Sequence, residues 1–395
     1  MNLKTGLTTL GFLFYSASSF ASLDVCKLVD KEIANSEVYS SSAIREYKED
    51  LGRECDLAKK YRSMRDKAQT QYGIQLTDIS LYQSLRYVER YRYEEAEALE
   101  IPVAKIYQRF AADYAKTTEE KSSEVWDNWQ VGIKQLAVVR KELEQGRALT
   151  INRLFEVHKG FYTLSEETGD YAHVPYPGEM KPAQSNDNPW WSLKDTEGSE
   201  VTSQAKALNQ NYRSYGLLQD DDENQEESYV NDTITVRPLR GGYSIYSGDS
   251  RGNRDHLDQV LGLINQMLKQ ARTGQHMVSH GRLITPAQLA YLVQQFYVDV
   301  HAFYEGNGRT SRFLQELILT SFDMPHGSSG DLMSSDVLTF TDDYYKLAID
   351  KNFAELDQVS TCLDSEYKNI LVKSYAKTLR DVEPMALGYT CRLLQ

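Results

Sequence analysis

Positive charge, long apolar runs and cysteine are all scarce in this chain of 395 residues. The formal net charge is −13 at pH 7, so broad attraction to nucleic acid or to an anionic membrane is not expected. Beyond the N-terminus, no stretch is apolar over the roughly 20 residues that a membrane-spanning helix requires. Nucleic acid is therefore not an expected partner, and no membrane-spanning helix is predicted beyond the N-terminus. The expected partner is another protein.

Only four cysteines are present, one pair near each end of the chain: Cys26, Cys55, Cys362 and Cys391. No C-x-x-C spacing occurs, which argues against a zinc site. Four cysteines allow three disulfide pairings. The favoured pairing joins Cys26 to Cys55 and Cys362 to Cys391, each closing a short helical hairpin in an oxidising compartment. Four free buried thiols are the alternative.

The N-terminus has the pattern of a secretory signal. Lys4 precedes an apolar run over residues 7–15, and Ser19 and Ala21 form a small-x-small cleavage site. The run is shorter than a membrane anchor and contains several Thr and Ser residues. Residues 1–21 are therefore predicted to be a cleaved signal peptide, and the mature protein is predicted to be secreted or periplasmic.

Glycine and proline are nearly absent from residues 22–147, where apolar positions recur at helical spacing. This composition predicts an all-α N-terminal region. Glycine, proline, asparagine and aspartate become frequent over 176–232, which predicts a loop insertion. Residues 351–395 are predicted to form a C-terminal helical extension.

The twelve residues His301 to Arg312, HAFYEGNGRTSR, bring together a histidine, a carboxylate, a Gly-Asn-Gly turn and two arginines. At about 5% for each residue type, the pattern H-x-F-x-(D/E)-G-N-G-R-x-x-R arises on the order of once in 10^10 windows. A chain of this length offers too few windows for chance to produce it.

Helical periodicity surrounds this motif on both sides. It predicts one helix from Pro286 to about His301, followed by a tight turn at the glycines and a second helix. The apolar positions that share a helix face are Leu289, Leu292, Val293, Phe296 and Val300 in the first helix and Phe313, Leu314, Leu317 and Ile318 in the second.

The residue types of the motif suit phosphate chemistry. A helix N-terminus with bare glycines offers unpaired N–H groups and a partial positive charge to an anion. Arg309 and Arg312 share the first helical turn and can pair bidentately with further phosphate oxygens. Glu305 can hold a Mg²⁺ ion, and His301 can take a proton from an attacking hydroxyl.

The segment resembles the signature of Fic domains, H-P-F-x-(D/E)-G-N-G-R-x-x-R, with Ala302 in place of the proline. In that family the histidine is the general base, the acidic residue holds Mg²⁺, and the turn and arginines bind the nucleotide phosphates. The usual reaction transfers AMP from ATP to a Ser, Thr or Tyr hydroxyl of a target protein. The resemblance therefore implies a catalytic His301, a metal ligand at Glu305, and nucleotide-binding residues at Gly306, Asn307, Gly308, Arg309 and Arg312.

A weaker resemblance extends over residues 148–350. Two short β runs, 233–236 and 241–246, predict a hairpin that is placed like the family's flap, which lays an extended target segment beside the site by strand pairing. An ordinary surface hairpin is the alternative. The resemblance implies that the residues docking the target are Gly242, Tyr243, Ser244 and Ile245.

The predicted fold is mainly α, with a Fic-type helical core and a small β-hairpin flap behind the all-α N-terminal region. The resemblance implies an enzyme that uses ATP and Mg²⁺ and modifies a protein substrate, and with the predicted signal peptide it suggests a secreted effector or toxin. Because ATP is scarce outside the cytoplasm, the enzyme is expected to act inside a recipient cell or in an ATP-containing lumen. Transfer of UMP, phosphocholine or phosphate by the same site is an alternative, and a catalytically inactive secreted interaction protein is an alternative of another class.

Overall fold

The computed structural model is mainly helical and contains two small antiparallel sheets among the residues that it describes. The predicted mainly α fold is confirmed. The signal peptide predicted over 1–21 lies outside the described residues, as does most of the C-terminal extension. The described residues are 23–72, 135–160, 178–181, 191–194, 198–218, 233–239, 242–247, 253–304, 306–325, 345–350, 352–354 and 356–357.

The described part of the N-terminal region is helical. It contains a short helix α1 (Cys26–Val29), a 3-10 turn (Ser36–Val38) and the 32-residue helix α2 (Ser41–Tyr72). Residues 135–144 are helical as well. The inner face of α2 is buried in a hydrophobic cluster that it shares with the later helices, so the two parts of the chain have a common core.

The remaining helices surround the motif. They are α3 (Ile151–Gly160), α4 (Gly198–Ser214), α5 (Asn253–Arg272), α6 (Pro286–Val300) and α7 (Asn307–Ser321). Helix α6 packs against α2, α5 and α7. Every apolar position that periodicity assigned to α6 and α7 is at most 1% exposed, so both predicted helices are confirmed. Among the described helices, α6 lies at the centre of the core.

Two antiparallel sheets accompany these helices. The first has the order β1-β3-β2, formed by β1 (Trp191–Lys194), β2 (Ile234–Leu239) and β3 (Gly242–Ser247). The second is a hairpin of β4 (Met277–Ser279) and β5 (Arg282–Ile284) that connects α5 to α6. Since this connection is short, α5 and α6 run antiparallel, and the start of α5 lies beside the end of α6.

The N-terminal region holds the start of α6 through a buried carboxyl group. Glu54 of α2 accepts hydrogen bonds from the Thr285 hydroxyl and, at 3.0 Å, from the Ala287 N–H. Thr285 also forms a capping box with Gln288, and Pro286 is the first helical residue. The helix that ends at the motif is therefore fixed at its other end by α2.

The loop insertion predicted over 176–232 is wrong at 191–194 and 198–214. Residues 198–214 form α4, and 191–194 form β1. Buried side chains recur along and just after α4 at three- and four-residue spacing, namely Ala205, Leu208, Tyr212 and Tyr215. The many polar residues between them conceal this spacing in the sequence. No described helix has the length and apolar character to cross a bilayer.

Candidate active site

His301 lies where α6 ends. It is the C-cap of that helix with left-handed backbone angles, φ 47° and ψ 48°, and its N–H donates to the Tyr297 carbonyl at 3.2 Å. Asn and His are among the few side chains found in this conformation. The next residue, Ala302, is fully buried and, unlike a proline, places no restriction on the backbone of His301.

The turn after His301 is held closed by Asn307. Its side-chain oxygen accepts the Phe303 N–H at 2.9 Å, and its amide donates to the Phe303 carbonyl at 2.7 Å. Gly306 is the N-cap of α7 with φ 78°, a left-handed conformation that costs glycine little. The side chain of Asn307 therefore shapes the turn, and the predicted tight turn at the glycines is confirmed.

The start of α7 keeps the features of an anion site. Its N-cap is a glycine, so no side chain caps the helix. The nearby Thr310 hydroxyl instead donates to the Gly306 carbonyl at 3.0 Å. The backbone N–H groups of the first turn and the positive end of the helix dipole are thus not neutralised by a capping side chain.

Both motif arginines lie on the first turns of α7 and are largely buried, with Arg309 6% and Arg312 5% exposed. The guanidinium of Arg312 folds back over the helix start. A Cβ placed on Gly308 would lie 3.1 Å from its Nη1 atom. Gly308 therefore provides the space for the Arg312 cation at the helix N-terminus, which is where an anion would bind.

Phe303 anchors the turn in an aromatic cluster below the site. It is fully buried, and its ring stacks on His158 of α3 at 3.9 Å between centroids. The Gly178 N–H donates to His158 Nδ1 at 2.9 Å. Two residues further along the chain, Met180 forms an antiparallel bridge with Phe303. These contacts bring the segment 178–181 alongside the motif.

The same segment places a lysine on the imidazole of His301. Lys181 Nζ lies 3.0 Å from His301 Nδ1. Loss of water around the ring, and after it the charge of Lys181, lower the pKa of His301 to about 3. The ring is therefore uncharged at neutral pH, which is the state that a general base requires.

A second buried pair lies two residues before His301. The hydroxyl of Tyr212, from α4, donates to the carboxyl of Asp299. Burial raises the pKa of Asp299 well above its ordinary value, against the hydrogen bond from Tyr212, which lowers it. Helix α4, which composition had assigned to a loop, thus supports the end of α6.

The predicted hairpin is present as β2 and β3, but strand pairing of a target with β3 itself is not available. Strand β3, which contains Gly242, Tyr243, Ser244 and Ile245, is the central strand, paired with β2 on one side and β1 on the other. Both of its backbone edges are used within the chain, so a target strand cannot pair with it. Docking by these four residues stays a prediction for contacts other than their backbone edges.

The remaining predicted residues have different outcomes. Glu305 lies outside the described residues, between Tyr304 and Gly306. A disulfide joins Cys26 to Cys55, as predicted, whereas Cys362 and Cys391 lie outside the described part of the chain. Within that part, no group of three or more His, Cys, Asp or Glu residues is placed to hold a metal ion.

Three residues that reach α6 or the motif from distant parts of the chain were not predicted. Lys181 is 120 positions from His301, Tyr212 is 87 positions from Asp299, and Glu54 is 231 positions from Thr285. None of them belongs to a local pattern that spacing or composition could have revealed. Only the fold brings them to α6.

Comparison with known proteins adds little. No family model and no curated protein matches the chain. One solved structure that matches is a Fic domain containing signaling protein from Bacteroides thetaiotaomicron VPI-5482. It is 14% identical, the match covers 86% of this chain and 96% of that chain, and the TM-score is 0.35. A likeness at this TM-score supports neither fold nor function, which rest on the residues described above.

Proposed function

We propose that this protein transfers AMP from ATP to a Ser, Thr or Tyr hydroxyl of a target protein, as Fic-type enzymes do. One observation carries the proposal: His301, at the end of α6, is separated by five residues from an uncapped helix N-terminus that holds two buried arginines. A base and a polyphosphate site in one turn are what this reaction requires.

The chemical step needs a nucleophile, a base and a leaving group. The hydroxyl oxygen of the target attacks the α-phosphorus of ATP, and the bond to the bridging oxygen breaks to release pyrophosphate. The proton of the hydroxyl passes to the imidazole of His301. With its pKa lowered to about 3, His301 is present in the uncharged form throughout the physiological pH range.

We assign the stabilisation of the negative charge on the phosphates to α7. Backbone N–H groups at the start of the helix can donate to phosphate oxygens, and the guanidinium groups of Arg309 and Arg312 can add bidentate hydrogen bonds. The side chain of Asn307 is used by Phe303, so its contribution is to shape the turn. Because both arginines are largely buried, their attraction for phosphate is screened little by solvent.

Glu305 is the proposed ligand of Mg²⁺. A single carboxylate together with phosphate oxygens and water is a common way for proteins to hold this ion, and in the sequence Glu305 immediately precedes Gly306, the N-cap of α7. When bound, the ion would neutralise part of the phosphate charge.

The donor can be identified with isotopes. We would incubate the mature protein with a host lysate and, in parallel, with ATP labelled on the α-phosphate, ATP labelled on the γ-phosphate, α-labelled UTP, and CDP-choline labelled in the choline. If AMP is the transferred group, a labelled protein band appears only in the incubation with α-labelled ATP. A band labelled only by γ-labelled ATP, only by UTP or only by CDP-choline would show that the transferred group is phosphate, UMP or phosphocholine, respectively. Absence of any labelled band would contradict a transferase.

Export is proposed from the N-terminal pattern. A cleaved signal over 1–21 would deliver the mature chain to an oxidising compartment, and the Cys26–Cys55 disulfide fits such a compartment. Action on a protein inside a recipient cell would then supply ATP. N-terminal sequencing of the exported protein is expected to begin at Ser22, and an intact Met1 on exported protein would contradict cleavage.

A further inference from the structure

Lys181 is fixed to the motif by its backbone. Its N–H donates to the Ala302 carbonyl at 2.8 Å, and the preceding residue, Met180, is bridged to Phe303. This pairing sets the Cα of Lys181 next to the turn that begins at His301. The side chain beyond it is a four-carbon stem, so the ammonium can move while the backbone stays in place.

The contact between Lys181 and His301 determines which ring nitrogen is protonated. A lysine ammonium has three N–H donors and no acceptor. At 3.0 Å from Nδ1, it must donate to that nitrogen, so Nδ1 carries a lone pair. The proton of the uncharged imidazole is then on Nε2. In this arrangement neither nitrogen can accept a proton from a hydroxyl, because Nε2 is protonated and Nδ1 is already hydrogen-bonded.

We propose that Lys181 is a positioning residue that keeps His301 unable to act as a base until a polyphosphate bound at the start of α7 draws the lysine ammonium away from Nδ1. This inference rests on the proposed function, since it assigns the polyphosphate to the donor and the base to His301. It adds a coupling that the motif does not contain: arrival of the donor releases the base.

Local charge supports this movement. Lys181 contacts the ring of His301 at the end of α6, and the buried Arg309 and Arg312 follow on the first turns of α7. A polyphosphate bound at the start of α7 offers several anionic oxygens to the Lys181 ammonium. An uncharged imidazole offers a single neutral acceptor and is the weaker partner.

Nuclear magnetic resonance of the ring nitrogens tests the proposal without any transfer reaction. Protein labelled with ¹⁵N-histidine would be prepared as wild type and as Lys181→Met, with His301→Gln to assign the signal. Lys206→Met is the matched control, since Lys206 is an exposed lysine on α4. Inorganic tripolyphosphate serves as the probe, and calorimetry on the same samples measures its binding.

We expect the Nδ1 resonance of wild-type His301 to show an accepted hydrogen bond, and to move to the position of an unbonded nitrogen when tripolyphosphate binds. In Lys181→Met it should occupy that position from the start and respond little to the probe. Lys206→Met should match wild type. An Nδ1 resonance that is identical in wild type and Lys181→Met would overturn the proposal, as would bound tripolyphosphate that leaves it unmoved.

The two proposals fail in different ways. If calorimetry detects no binding of tripolyphosphate, the result contradicts both the proposed phosphate site and the proposed coupling. If the resonance moves as expected but no donor is transferred, the coupling stands and the transferase does not. In an active protein, Lys181→Met should raise the KM for the donor by about tenfold through loss of a phosphate contact, with no decrease in kcat. A decrease in kcat at unchanged KM would contradict the coupling.

Discussion

His301 is uncharged at neutral pH because its ring has lost much of its surrounding water and faces the ammonium of Lys181. Both effects disfavour the imidazolium ion, and loss of water is the larger one. An ordinary histidine has a pKa of about 6.5, and neither the burial of His301 nor its contact with Lys181 is visible in the motif. The position of Lys181 could not be predicted because it depends on a backbone pairing between distant segments.

A lowered pKa predicts how transfer depends on pH. Activity needs the uncharged ring, which persists until the pH falls toward the pKa of about 3. With respect to His301, kcat/KM should therefore stay level from about pH 8 down to about pH 5. Lys181→Met should raise the pKa but leave it below the ordinary 6.5, since burial remains. An acid limb near pH 6.5 in the wild type would contradict this environment.

At the scale of elements, the two helices of the motif were predictable and α4 and β1 were not. Strong apolar periodicity, the Thr285 cap and the glycine turn mark α6 and α7 in the sequence. Strand β1 has four residues and is stabilised by its pairing with β3, so nothing local marks it. Because β1 pairs with β3, β3 is the central strand and both of its backbone edges are paired. The sheet order could therefore not be predicted without β1.

Gly308→Ala tests the place of the Arg312 cation at the start of α7. The added Cβ would lie 3.1 Å from the guanidinium, so that group must shift by a few tenths of an ångström, and the KM for the donor should rise severalfold as one charge-assisted contact loosens. Gly262→Ala is the matched control, because a Cβ there meets nothing within 4 Å. It should stabilise α5 by about 0.5–1 kcal/mol and leave KM unchanged. Equal KM values for both variants would contradict the placement of Arg312.

Glu54, at the junction of α2 and α6, predicts a pH dependence of stability. Burial raises its pKa from 4.5 to about 8, against hydrogen bonds from Thr285 and Ala287 that lower it. The folded state therefore binds this proton more tightly than the unfolded state. The contribution to stability is full below about pH 4.5 and is lost as the pH rises toward about 8.

Urea unfolding across this range measures the effect. Between pH 5 and pH 8, the free energy of unfolding of the wild type should fall more steeply than that of Glu54→Gln, which cannot titrate. Glu49→Gln, an exposed position on the same helix, should follow the wild type. Parallel pH profiles for the wild type and Glu54→Gln would show that Glu54 does not bind its proton more tightly in the folded state.

At the scale of the whole molecule, the N-terminal region is part of the structure that holds the site. Its helix α2 contributes to the common hydrophobic core and caps α6 through Glu54. The carboxyl of Asp50, also on α2, accepts a hydrogen bond from the Tyr345 hydroxyl. Composition predicted the helices of this region correctly where they are described. Their attachment to α6 could not be predicted, because each contact joins residues more than 200 positions apart.

The Cys26–Cys55 disulfide should stabilise the N-terminal region. It joins α1 to α2 across 29 positions, and closing a loop of that length is worth about 3–4 kcal/mol in the chain-entropy model. The double variant Cys26→Ser, Cys55→Ser should lose a free energy of unfolding of that order in urea, and the wild type should lose as much in reductant. Equal midpoints for the oxidised and reduced wild type would contradict a stabilising role.

The central claim is that His301 performs the chemistry and α7 holds the donor. It is tested most directly by measuring ATP binding and transfer from α-labelled ATP on the same preparations of wild type, His301→Ala and His280→Ala. The control is matched, since His280 has φ 46° and His301 φ 47°. His301→Ala should bind ATP as the wild type does and lose transfer by at least about 10²-fold, while His280→Ala keeps both. Undiminished transfer by His301→Ala, or a wild type that binds no ATP, would contradict the account.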